Sequence, residues 1–428
     1  MSFWVRCRLV LFCLAWFAAT TGCRQQAAAP ANGTASASAE QSSDDQIGES
    51  SANPLREPVT SGEYFDAALA IEAAAASGDP QALANFFDME AILQIAAHGL
   101  QDLPHIHDFT KGFRKGQGQE ALNMGAQIAR ELGTEGSYQL VHLYKRRGRH
   151  IAQFRLVSVH GMNYHELYLQ KNAQGQIVVV DMHIMLSGEL LSQTLRRGIL
   201  ATAGSSNRSL LQKLMQSENE YVKHIDKILE FQAAVNENRP EQALVIYREL
   251  PETLRSDKTL LLVRIIAASR AEDWDDYAAA IDSFKQRYPD EAAVDLMSID
   301  ILLRDKKFDE LHAAIDRIDK AVGGDPHLDA VRASVYFTDN DLGSAEKFAL
   351  QAAADPKALP IAFWHLITIA MAAEDYEKTL KYLLQIEERF DLEFSDLTEI
   401  PDYAGFVKSP QYQTWLRRHD ELPAGGQP

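Results

Sequence analysis

Histidine is the side chain most readily recruited for proton transfer or metal ligation near neutral pH. Eight of the 13 in this chain lie between positions 98 and 183: His98, His105, His107, His142, His150, His160, His165 and His183. His105 and His107 stand two apart beside Asp108, a spacing that puts both imidazoles on one side of an extended segment, where they could ligate a metal. His165-Glu166 and Asp181-Met182-His183 fall in segments that alternate like strands. On a regular strand over 176–186, Val178, Val180, Met182, Ile184 and Leu186 share one face, and Val179, Asp181, His183 and Met185 the other. A carboxylate and an imidazole on one face make a general acid–base pair if they line a pocket. The residues expected to line such a pocket are His142, His165, Asp181 and His183. Hydrogen-bonded sheet histidines or surface histidines account for the same positions without any chemistry. The spacings that mark a zinc site, HExxH or paired CxxC, do not occur. Gly116-Gln117-Gly118 lacks the preceding strand and following lysine of a phosphate loop. No cofactor is therefore expected, and catalysis is the lesser expectation.

The elements that must carry these residues follow from the change of hydrophobic period. Between 61 and 202 the chain begins with helical spacing. Tyr64, Phe65, Leu69 and Ile71 mark one helix. A second starts at Asp79-Pro80, with Leu83, Phe86, Phe87, Ile92 and Leu93 on its apolar side, and a third covers 119–132. The period then becomes two over 137–145, 149–159, 162–170 and 176–186, separated by turn signals at Arg147-Gly148, His160-Gly161 and Asn172-Ala173-Gln174-Gly175. A closing helix is expected over 188–200. Helices followed by four antiparallel strands predict an α+β domain. This order, with the final strand IVVVDMHIML, resembles the nuclear-transport-factor-two-like fold, which implies a curved sheet wrapped around helices into a cone. Lys145, Arg146, Arg147 and Arg149 form a basic cluster at the first hairpin, either a solvated turn or a contact for anionic lipid.

A second region, 218–390, repeats. NRPEQAL, EDWDDYA, KKFDELH, NDLGSAE and EDYEKTL have third residues Pro240, Trp274, Phe308, Leu342 and Tyr376, each 34 positions after the last. These stretches resemble tetratricopeptide repeats, with the aromatic position filled by Trp274, Phe308 and Tyr376 and the small position by Ala243 and Ala345. The resemblance implies an all-α solenoid of five helical pairs that presents its first helices to a concave, partner-binding groove. Groove positions would include Thr259, Ile266, Arg270, Asp300, Arg304, His327, Ser334, Phe337, Trp364 and Thr368. Arg270 and Arg304 hold the same repeat position. They could receive a carboxylate or acidic peptide, or pair with neighbouring acids. The aromatic stretch 391–422, with Tyr403, Phe406, Tyr412 and Trp415, is expected to cap the array.

The start of the chain supplies an address. Arg6 and Arg8 precede an apolar run, Leu9 to Ala19, of 11 residues, which suits a signal sequence and is too short to span a bilayer. Thr20-Thr21-Gly22-Cys23 resembles the lipobox of bacterial lipoproteins, matching at Gly22 and Cys23 and carrying Thr20 where leucine is usual. The resemblance implies removal of 1–22, acylation of Cys23 and, with Arg24 next, residence at an outer membrane, on its periplasmic side. An ordinary signal cleavage near 19–21, or a cysteine that stands there by chance, is the alternative. Cys7 and Cys13 would be discarded, and a lone Cys23 cannot form an internal disulfide. The stretch 23–60 is poor in large apolar residues and is expected to be a disordered tether. The formal charge, −18, becomes −20 without Arg6 and Arg8 and argues against a nucleic-acid partner. The expectation is an envelope lipoprotein that binds a protein through its helical groove. The alternative is a small-ligand receptor or enzyme using the α+β domain.

Overall fold

A computed structural model describes residues 56–100, 123–133, 136–158, 161–206, 223–289, 291–392, 394 and 396–420. The chain divides into two units, at Met297 and Ser298.

In the first unit, β1 (Glu57–Pro58) comes first; α1 (Glu63–Ala76), α2 (Pro80–Ala84), α3 (Met89–Ala96) and α4 (Met124–Leu132) follow, and then β2 (Ser137–Arg146), β3 (Arg149–Ser158), β4 (Gly161–Lys171), β5 (Ile177–Ile184) and β6 (Glu189–Leu190), which form one sheet with β1. The strands lie in sequence order with every neighbouring pair antiparallel. α5 (Leu191–Ser206) follows. Ile71, Leu83, Ile92 and Ile128 from the helices bury against Phe154, Leu167, Val179 and Met182 from one sheet face, with Leu195 and Ile199 of α5 closing the core. Asp79, Asp88 and Asn123 cap α2, α3 and α4 by accepting from the backbone N–H groups of Gln81, Ala91 and Ala126.

Three expectations need correction. Among the described residues the sheet has six strands, not four, because two-residue segments on either side of the meander also pair. One of them, β1, lies at the end of the stretch read as tether. The second expected helix is two, α2 and α3. Between them the backbone of Phe86 and Asp88 bonds to both sides of Val179 (2.8 and 2.9 Å), so the chain must leave helical geometry there. The alternation along β5 breaks at Val180, where the register slips between the pairs Tyr168–Asp181 and Leu169–Val179. This β-bulge turns Val179 into the core while Asp181 keeps the other face.

The rest of the described chain is helical: α6 (Ile225–Asn236), α7 (Pro240–Arg248), α8 (Glu252–Arg255), α9 (Lys258–Arg270), α10 (Trp274–Arg287), α11 (Ala292–Arg304), α12 (Phe308–Val322), α13 (His327–Thr338), α14 (Leu342–Ala354), α15 (Pro360–Ala372) and α16 (Tyr376–Phe390). The five residues spaced by 34 are the first residues of α7, α10, α12, α14 and α16. Two positions before each stands a non-glycine residue with positive φ: Asn238, Glu272, Lys306, Asn340 and Glu374. Each closes the preceding helix with paired backbone bonds. Glu272 N–H donates to Ser269 O and Asp273 N–H to Ala268 O, and the same pattern recurs at the other four. This is the Schellman closure of a helix. The turn is therefore a structural repeat, not only a compositional one.

In the second unit, Phe363, Leu366, Leu383 and Ile386 pack with Leu397, Phe406, Tyr412 and Trp415 from the final stretch, whose helices are α17 (Ala404–Val407) and α18 (Pro410–Asp420). Trp415 Nε1–H donates to Glu387 at 3.0 Å, and its ring stacks on Tyr412. Among the described residues no helix is long and apolar enough to cross a membrane.

Candidate functional site

Strand register decides where the expected pocket residues go. His142, Gln153, Glu166 and His183 form one row across β2 to β5. Asp181 lies two residues from His183 and shares its face, the side opposite the apolar core. His165 does not join them. It pairs with Phe154 and Ile184, which face the helices, and it is 4% exposed. Its Nδ1 lies 3.1 Å from the Tyr138 hydroxyl and its Nε2 3.3 Å from the Asn163 amide nitrogen. Burial, with the charge of His183 as a lesser cause, pulls its pKa down to about 3, so it is a neutral core residue. The four residues therefore do not converge on one pocket.

Asp181 is committed to the chain's own backbone. Its carboxylate accepts from the N–H of Met182 (2.9 Å), the N–H of Ser192 (3.1 Å) and the Ser192 hydroxyl (2.5 Å). Ser192 is the second residue of α5, so Asp181 serves as a remote cap that ties β5 to the start of that helix. Burial still raises its pKa, against these hydrogen bonds.

The strongest polar constellation on that face is Glu166, which sequence reasoning named only as a neighbour of His165. Tyr144 donates its hydroxyl to Oε1 at 2.6 Å, Arg146 bonds both carboxylate oxygens at 3.4 and 2.7 Å, and the Arg56 guanidinium lies 3.6 Å away. Arg146 also donates to the Tyr168 hydroxyl at 3.0 Å, and Arg56 sits over the Tyr144 ring. Burial works against the charged carboxylate, yet Arg146, His183 and the hydrogen bonds together hold Glu166 below the usual carboxylate range. Burial and the Glu166 charge push Tyr144 well up. The signal was present as polar residues two apart on adjacent strands, at 144/146 and 164/166/168, but alternation alone does not say which rows meet. Next to Glu166 in the row, Gln153 is fully buried, and neither its amide nitrogen nor its oxygen has a hydrogen-bond partner among the described residues. Among the described residues no cluster of three or more His, Cys, Asp or Glu could hold a metal ion.

A second constellation joins the sheet to the first helical hairpins. Glu189 of β6 binds Arg197 through both oxygens and accepts from the Thr259 hydroxyl of α9 at 2.8 Å. Lys258 donates to Gly188 O at 3.0 Å and pairs with Glu291. Thr259, expected to face an open groove, is thus buried against the chain's own carboxylate.

The remaining groove residues divide. Arg270 donates to Val235 O at 2.6 Å. Arg304 is exposed and binds Asp305 at 2.8 Å, so a neighbouring acid already engages it. Ser334 is buried and Ile266 more so, which removes both from an accessible wall. Phe337 and Trp364 are half-buried, Trp364 edge-on to Phe394 at 5.5 Å, and Thr368 is exposed. Cys23, the signal segment, most of the tether, His105 and His107 lie outside the described residues. Compared with protein-family models, with curated proteins and with solved structures, the chain matches none of them.

Proposed function

We propose that this chain is a bacterial lipoprotein, acylated at Cys23, whose helical part is a divergent tetratricopeptide-type array that docks a partner protein in the cell envelope. The observation that carries the reading is the fivefold recurrence, at 34 residues, of a helix start preceded by a left-handed closing residue. A fixed repeat of helical hairpins leaves the first helix of each pair lining a shared surface, and such surfaces bind peptides and helices. Within the second unit, Phe337, Trp364, Thr368 and Arg304 are the accessible positions of that surface. An acid–base centre in the α+β region is the weaker reading, because Asp181 is already occupied by Met182 and Ser192.

Photo-crosslinkers at Thr368 and Arg304, with Leu350 of α14 as a control, test it. Leu350 is exposed on a second helix of a pair. One discrete crosslinked species from the first-helix positions, absent from Leu350, is expected. Equal labelling at all three sites, or none, would overturn the docking assignment. Mass spectrometry of the mature N-terminus, compared with Cys23→Ala, tests the anchor separately.

A further inference from the structure

The β2–β3 hairpin carries an unbalanced charge. Arg146 and Arg149 are paired across its base, and Arg147 and Gly148 make the turn, with φ of 51° and 76°. Positive φ at both turn positions is the type I′ geometry, which favours Asn-Gly or Gly-Gly. An arginine there is strained by roughly 1 kcal/mol relative to glycine. Arg146 is neutralised by Glu166. Lys145, Arg147 and Arg149 form no ion pair among the described residues. Arg147 and Arg149 are exposed and Lys145 is half-exposed. Glu57 stands opposite Lys145 in the ladder without pairing to it, and the next carboxylate along, Glu63, is held by Lys171.

The place where the N-terminal stretch enters the fold is the second observation. Glu57 pairs with Lys145 and Pro58 with Tyr144, so the described chain begins beside the tip of this hairpin. Only 33 positions separate Cys23 from Arg56. If Cys23 is the anchor, the chain leading from the bilayer enters the fold at the end of the sheet that bears the three cations. The acidic remainder of the protein does not cancel them there, because charges more than about 8 Å away are largely screened at physiological ionic strength.

We propose that Lys145, Arg147 and Arg149 form a contact surface for anionic phospholipid headgroups, which holds the α+β region end-on against the membrane that carries the chain's N-terminus. This rests on the lipoprotein reading for its geometry. The cations act as point charges on phosphate oxygens, and no ordered pocket is required.

The test is vesicle flotation of the full chain carrying Cys23→Ser, so that acylation cannot hold it, with and without K145Q/R147N/R149Q. The apolar leader is common to both proteins and cancels in the comparison. On vesicles with about one third phosphatidylglycerol, removing each cation should weaken partitioning roughly fivefold, and the triple variant roughly a hundredfold. On neutral phosphatidylcholine the two proteins should float alike, and high salt should erase the difference. R147N alone should weaken binding while leaving the melting temperature unchanged or higher, since asparagine suits the turn. Equal flotation of both proteins on anionic vesicles would overturn the proposal, as would an equal loss on neutral ones. Absence of acyl groups on wild-type Cys23 would overturn the anchor reading alone, because the vesicle comparison does not depend on it.

Discussion

Acidification from about pH 7 to about pH 5 should weaken the α+β region through His165, and the size of the loss follows from its burial. His165 stays neutral in the fold, with a pKa of about 3, whereas in the unfolded chain it titrates near 6.5. The folded value lies below the unfolded one. The stabilising difference is therefore intact above the unfolded pKa and is lost as the pH falls through the interval between the two, at about 1.4 kcal/mol per pH unit. At about pH 5 the unfolded imidazole is almost wholly protonated and the folded one is not, so the linked loss is about 2 kcal/mol. That is a large share of a domain's typical stability of roughly 5–15 kcal/mol. His165→Gln keeps a polar side chain near Tyr138 and Asn163 but cannot titrate. The measurement is urea unfolding of both proteins at the two pH values, with hydrogen exchange of residues 149–171 reporting on the sheet. Wild type should lose about 2 kcal/mol relative to the variant on acidification. If the gap between the two proteins is the same at both pH values, His165 is not a buried neutral residue and the core-facing register of β4 is wrong.

Three further outcomes are expected. Gln153→Leu should raise the melting temperature of the α+β region, because an unmatched buried amide costs about 1–3 kcal/mol; a fall would mean that the amide has a partner. Glu272→Gly and Glu374→Gly should each stabilise the helical part by about 0.5 kcal/mol, since glycine adopts the left-handed turn without strain, while Asn340→Gly should be close to neutral. Chemical denaturation midpoints read all three. Trp415→Ala should cost about 3–5 kcal/mol and release α15 and α16 to rapid hydrogen exchange, because the ring covers the last hairpin and holds Glu387; unchanged protection would show that the final stretch does not cap it.

The parts of the fold that were legible in the sequence are those governed by periodicity. Four strands lie within a residue or two of where alternation puts them, and the 34-residue spacing lands on five helix starts. What was not legible depends on contacts between distant segments. The split between α2 and α3 comes from Val179, about 90 positions away, claiming the backbone of Phe86 and Asp88. The two short strands contain only Glu57-Pro58 and Glu189-Leu190, which carry no alternation to detect. The bulge at Val180 changes the face of Val179 without any signal in composition. The same limit applied to the site. Asp181 and His183 were correctly placed on one face, but the commitment of Asp181 to Ser192 and the gathering of Arg56, Tyr144 and Arg146 around Glu166 are tertiary facts. Thr259 was assigned to an open groove because repeat alignment sees only the array, not the β6 carboxylate lying against it.

The two short strands have a consequence for how the protein behaves when many copies are crowded together. A long outer strand offers a row of free N–H and C=O groups on which another chain can build, the first step of sheet-to-sheet aggregation. Here β1 covers one end of β2 and finishes in Pro58, which has no N–H to give. On the opposite side, β5 is met at Val179 by Phe86 and Asp88 and at His183–Ile184 by β6, which turns at once into α5. Growth of the sheet past β5 would first have to unseat those segments. A copy held beside its neighbours therefore has little template on that side to share with them.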